Sequence, residues 1–158
     1  MLKEIVRNHV SVGECGMSVN LDTLEKDQKY RKSAVSAVLK QLATKPSACV
    51  YFPSYKEGSP LGSFINELAT HKEIRNLKTV DIREVLKLSS IEEVLVVKQS
   101  FKTGNGLKEQ INLLKDKGFK VSVFCLVAHS STRLERFAFD NGVEASAAVC
   151  LDEIPYLK

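Results

Sequence analysis

Residues 98–106 read Lys98-Gln99-Ser100-Phe101-Lys102-Thr103-Gly104-Asn105-Gly106, a segment that sets ammonium groups, hydroxyls and two glycines between an apolar run and an amphipathic stretch. Where such a segment opens a helix, free backbone N–H groups and the positive end of the helix dipole meet at one point and favour an anion. Gly104 and Gly106 permit close backbone approach, Ser100 and Thr103 offer hydroxyls, and Lys102 offers a cation. A phosphomonoester suits that set. The same residues also suit a plain strand-to-helix turn in which the glycines serve only the bend.

Other chemistry-bearing residues are scattered. His9, His71 and His129 have no spacing that suggests metal ligation, and no metal site is expected. Cys15, Cys49, Cys125 and Cys150 contain no Cys-x-x-Cys pair, and the last three sit in apolar runs as reduced core residues. There is no nucleophile elbow and no Walker-type loop, and no residue is assigned a catalytic role.

The elements that must position these groups follow from periodicity. Residues 27–45 place Tyr30, Ala34, Val38 and Leu42 four apart, an amphipathic helix stopped by Pro46. Residues 48–52 are a short apolar run of the kind buried on both sheet faces, followed by a loop over 53–60. A helix is expected over 61–71, a weak strand over 77–80 and a strongly buried strand over 93–97. A loop over 98–103 then leads to a helix reaching Gly118, with Leu107, Ile111 and Leu114 on one face. A strand over 120–127, a helix over 133–141, and a strand over 145–151 complete the pattern. Strands alternating with helices imply right-handed crossovers and an α/β fold: a three-layer, mainly parallel sheet flanked by helices. Ligands of such sheets lie beyond the strands' carboxyl ends, which directs attention to loops 53–60, 98–106 and 128–132.

At 158 residues a single domain spanning 1–158 is expected. Apolar content of 44% with 27% charged residues excludes a disordered chain. The formal charge of +4 is spread among acidic residues along helices, which argues against nucleic acid as a partner. No apolar run approaches the ~20 residues of a membrane span, no signal-peptide core is present, and the cytoplasm is the expected compartment.

The order of these pieces resembles the type I phosphoribosyltransferases. Residues 94–97 match the family's branched apolar strand, 102–106 its Thr-Thr-Gly-Gly-Thr-like phosphate loop, and 107–118 the helix behind it. Residues 51–62, Tyr-Phe-Pro-Ser-Tyr-Lys-Glu-Gly-Ser-Pro-Leu-Gly, are similar to the Gly-Pro-Ala-Tyr-Lys-Gly-Ile-Pro-Leu loop of orotate phosphoribosyltransferases. Residues 10–22 resemble the amino-terminal hood segment, placed within residues 1–22, and 141–154 resemble the closing strand and Leu-Asp-Asp helix. The resemblance implies phosphate binding by Lys102, Thr103, Gly104, Asn105 and Gly106, and a pyrophosphate loop holding Tyr55 and Lys56. It implies phosphoribosyl pyrophosphate, a nucleotide monophosphate or another sugar phosphate as ligand, and a homodimer or a heterodimer with a relative.

Three departures accompany it. The two acidic residues that meet the ribose in the family are replaced by Lys98 and Gln99, and a cation beside a centre that gains positive charge raises the barrier to transfer. The family's mobile Lys-Asp-His-Gly-like catalytic loop has no counterpart between His71 and Glu92. At the base-recognition end the family's Asp-Arg pair is replaced by Ala128 and His129, and a neutral imidazole cannot reproduce a bidentate arginine clamp. The resulting expectation is an orotate phosphoribosyltransferase-like pseudoenzyme, inactive or impaired, with magnesium relevant only to an active protein. An active transferase of pyrimidine biosynthesis that makes orotidine monophosphate, and a non-catalytic subunit paired with an intact relative, are the alternatives.

Overall fold

The computed structural model describes residues 2–13, 16–44, 49–53, 77–78, 82–87 and 93–154. Helix α1 (Leu2–Arg7) leads into a β1 (Val10–Gly13), β2 (Gly16–Val19) antiparallel hairpin, a short helix α2 (Leu21–Lys26) and the long helix α3 (Gln28–Ala43). Then come β3 (Cys49–Tyr51), β4 (Leu77–Lys78), α4 (Ile82–Leu86), β5 (Glu93–Phe101), α5 (Asn105–Asp116), β6 (Lys120–Ala128), α6 (Ser131–Asn141), β7 (Glu144–Cys150) and a 3₁₀ turn at Leu151–Glu153. The expected helix over 61–71 and most of the loop over 53–60 lie outside the described residues. No helix among the described residues is long and apolar enough to cross a membrane.

Five parallel strands form the sheet in the order β4-β3-β5-β6-β7. The central strands are near-continuous apolar runs because both faces are covered, and in β6 every residue after Lys120 is buried. Alternation divides them between two cores. Leu95, Val97, Phe124, Leu126 and Val149 pack with Ile5, Val6, Leu24 and the Tyr30, Ala34, Val38, Leu42 stripe of α3. Val94, Val96, Val121, Val123 and Cys125 pack with Val85, Leu107, Ile111, Leu114, Leu134 and Phe137 on the other side. Each fully buried Val, Leu or Phe in these clusters contributes about 1.5–3 kcal/mol of transfer free energy. The expected three-layer α/β architecture is the one observed.

The largest boundary difference from the sequence expectation is at the end of β5. β5 does not end at Val97 but runs to Phe101, so residues 98–101 continue the ladder beside β6, with Lys98 opposite Cys125 and Phe101 opposite Ala128. Polar side chains at Lys98, Gln99 and Ser100 suggest a loop, yet a strand end tolerates them when each finds a place on its own face.

The start of α3 is fixed by Asp27. Its side chain accepts from the backbone N–H of Lys29 at 2.9 Å and Tyr30 at 3.4 Å, and its own N–H ends α2 on the Leu24 carbonyl at 3.0 Å. His9, just before β1, reaches the same carboxylate through Nε2 at 3.2 Å and Thr23 Oγ1 through Nδ1 at 2.8 Å. The His9 hydrogen bond, with the two backbone donors, outweighs desolvation and holds the Asp27 carboxyl below its ordinary value. A group so lowered adds stability above its unfolded pKa, and that stability is lost as pH falls through the folded value. Asp27→Ala is therefore expected to destabilise by about 0.5–2 kcal/mol at neutral pH, with the difference from the wild type narrowing in acid. Urea denaturation at both pH values tests this, and an equal difference in acid would rule the carboxylate out as its source.

Candidate phosphate site at the β5–α5 loop

Between β5 and α5 the connection is Lys102, Thr103 and Gly104. Gly104 stands at the helix N-cap in the left-handed region, φ 73° and ψ 12°, and its carbonyl accepts from Leu107 N at 3.0 Å and Lys108 N at 3.3 Å. No side chain among the described residues caps this helix. A cap of Ser, Asp or Asn would occupy the first-turn N–H groups. Here Leu107 donates back to the Gly104 carbonyl, which leaves the Asn105 and Gly106 N–H groups to an anion, and the helix dipole adds to the attraction.

The two glycines have different surroundings. A β-carbon on Gly104 would sit 2.5 Å from Phe137 Cε2 and 2.8 Å from Phe101 Cε2, so the Gly104 α-carbon lies against an aromatic pair. Those rings meet edge to face, centroids 5.1 Å apart. Gly104 thus admits packing by the protein's own rings. Around Gly106, in the first turn, no atom of the described residues beyond its chain neighbours and its own helix backbone lies within 4 Å of where a β-carbon would be, which leaves the helix entrance open. A cavity of about 460 Å³ adjoins the loop, lined by Lys102, Thr103, Gly104 and Asn105 and, from α5 and α6, by Lys108, Arg133, Arg136, Phe137, Asp140 and Asn141.

Lys98 and Gln99 do not line that cavity. By strand alternation Lys98 shares the face of Val94 and Val96 and lies opposite Cys125; burial pushes its ammonium pKa down. The Cys125 thiol is itself pushed up to about 12 by burial, so it is neutral at ordinary pH. Gln99 turns to the opposite core, only 6% exposed, where its Oε1 accepts the Tyr30 hydroxyl at 2.5 Å. Its Nε2 has no hydrogen-bond partner among the described residues. Magnesium prefers carboxylate and water oxygens, and the half-buried ammonium and core carboxamide at these two positions do not fit it.

His129 holds the ends of two strands together. Its backbone N–H donates to the Phe101 carbonyl at 2.9 Å, and its ring Nδ1 lies 3.1 Å from the same oxygen, a position that only an Nδ1–H donor satisfies. The next residues build the start of α6: Ser130 Oγ accepts from Arg133 N, and Ser131 donates from both N and Oγ to Asp152 Oδ2, at 3.0 and 2.9 Å. The N-terminus of α6 thus already faces a carboxylate of its own chain. Asp152, Cys150 and Glu153 bring their donor atoms within 4.8 Å of one another. Asp152 serves Ser131, however, and burial with nearby carboxylates pushes the Cys150 thiol up to about 11, away from the thiolate that a metal binds. Tyr55 and Lys56 lie outside the described residues.

Sequence reasoning overlooked Lys108, Arg133, Arg136 and Asp140 as cavity residues. Arg133 and Arg136 stand three apart on a helix, a spacing legible in the sequence, but their approach to Lys102 is tertiary.

No protein-family model and no curated protein matches the sequence. Solved structures do match in shape. Orotate phosphoribosyltransferase from Aeropyrum pernix superposes with a TM-score of 0.64 at 18% identity, over 96% of this chain and 95% of that one. Mycobacterium tuberculosis orotate phosphoribosyltransferase in complex with phosphoribosyl pyrophosphate gives 0.62 at 17%, covering 96% and 94%. Adenine phosphoribosyltransferase from Thermoanaerobacter pseudethanolicus gives 0.68 at 14%, covering 95% and 99%. With nearly complete mutual coverage, the βα order deduced above and a helix-opening loop after the central strand, this chain carries the type I phosphoribosyltransferase fold.

Proposed function

We propose that this chain is an orotate phosphoribosyltransferase-like protein that binds a sugar phosphate or nucleotide monophosphate through Lys102, Thr103, Gly104, Asn105 and Gly106 but does not transfer the phosphoribosyl group at an enzymatic rate. The observation that carries the reading is the contrast within one strand and its loop. The uncapped entrance of α5 adjoins a cationic cavity, while the two positions that would carry carboxylates hold a half-buried ammonium and a core carboxamide. Binding needs the first arrangement, and stabilising an oxocarbenium-like ribose needs carboxylates in place of the second.

Calorimetric titration with ribose 5-phosphate, orotidine monophosphate and phosphoribosyl pyrophosphate, each with and without magnesium, tests the binding half. Saturable binding unaffected by magnesium is expected. An assay of orotidine monophosphate formation from orotate and phosphoribosyl pyrophosphate tests the other half: turnover above the uncatalysed rate would overturn the pseudoenzyme reading in favour of an active transferase, and absence of binding at millimolar ligand would overturn the phosphate site.

A further inference from the structure

The cavity at the β5–α5 loop extends along α6. Arg133, Arg136, Phe137, Asp140 and Asn141 follow one another at spacings of three, one, three and one residues, a single stripe of that helix turned toward the loop. Lys102 and Lys108 come from the loop and from α5. Four cations therefore surround about 460 Å³ with one carboxylate among them. Asp140 lies 3.8 Å from Arg136 Nε, an exposed pair about one helical turn apart and weakly coupled. Lys102, Lys108 and Arg133 make no ion pair among the described residues, so like charges face one another across a concave surface.

Such an arrangement raises the local positive potential and is relieved by a polyvalent anion. A lone phosphate at the start of α5 leaves the α6 wall unmatched, whereas guanidinium groups present paired N–H donors suited to a second phosphate. The volume falls within the ~300–1,000 Å³ of small-molecule sites. We propose that the groove between the β5–α5 loop and α6 binds a small diphosphate-bearing ligand, one phosphate at the α5 entrance and the other at Arg133 and Arg136. This rests on the phosphate-loop reading and adds the α6 wall to it.

The probes are inorganic phosphate and inorganic pyrophosphate, titrated calorimetrically at fixed ionic strength. The wild type is expected to prefer pyrophosphate by about tenfold or more. Arg133→Gln with Arg136→Gln should abolish that preference while phosphate still binds and the melting temperature holds, since Arg136 is 84% exposed. Lys29→Gln with Lys117→Gln, which removes two exposed cations elsewhere, should keep it. Phosphate binding without a pyrophosphate preference, a preference that survives the arginine changes, or one lost equally in the lysine control overturns the groove and leaves the loop reading standing. Failure of both anions to bind overturns the two together.

Discussion

Gly104→Ala is expected to destabilise the protein by about 2–5 kcal/mol, the sum of a left-handed backbone forced on a residue with a β-carbon and overpacking against buried rings. Native domains hold only about 5–15 kcal/mol in total, so a large part of the stability goes with one methyl group. The contact cannot be relieved by a swinging side chain, because Phe137 is 8% exposed and its ring is pinned on Phe101. Gly106→Ala carries neither penalty and gains helix propensity, up to about 1 kcal/mol. Its methyl group would stand at the open entrance of α5, so it should weaken phosphate binding in a protein at least as stable as the wild type. Urea midpoints of the two variants test the structural half and phosphate titration of Gly106→Ala the functional half. Equal midpoints would show that the Gly104 contact yields freely, and unchanged phosphate affinity would place the anion elsewhere. Gly106 is for this reason the better position at which to probe the site.

The layers of the fold were legible because they rest on local signals. Continuous apolar runs at β3, β5 and β6 can be satisfied only by burial on both faces, and the stripe from Tyr30 to Leu42 can be satisfied only by a helix packed on one. The candidate site was legible as a loop whose composition suits an anion, but the contacts that place each residue are distant in sequence. Gln99 is matched by Tyr30, 69 residues away, Ser131 by Asp152, and Gly104 by Phe137. None of these pairs leaves a periodic trace. The reading of Lys98 as the beginning of a loop failed for the same reason: polarity was visible, whereas the faces on which Lys98 and Gln99 find room were set by neighbouring strands and by α3.

Gln99→Glu puts that last point to a test, since it places a carboxylate where the phosphoribosyltransferase resemblance of the sequence leads one to expect it. Gln99 faces the α3 core at 6% exposure, with the Tyr30 hydroxyl as its hydrogen-bond donor. An acid there is disfavoured in its charged form, and a buried Glu can be raised by several units above its unfolded value of about 4.3. A raised acid is protonated in both states at low pH, so the variant should then match the wild type closely. As pH rises through the unfolded pKa, the unfolded chain releases its proton while the folded chain keeps it, and stability falls until the folded pKa is passed. A rise of about three units corresponds to about 4 kcal/mol lost in mildly alkaline solution. Urea denaturation of both proteins between pH 4.5 and pH 8 measures it, and a pH-independent difference would mean that the new carboxylate reaches solvent. The functional consequence is as definite: a side chain held under α3 cannot meet a sugar at the β5–α5 loop, so this substitution should leave magnesium without effect on phosphoribosyl pyrophosphate binding. Position 99 belongs to the core, and presenting a carboxylate from it to a ligand at the loop requires turning the end of β5 as well as changing its residue.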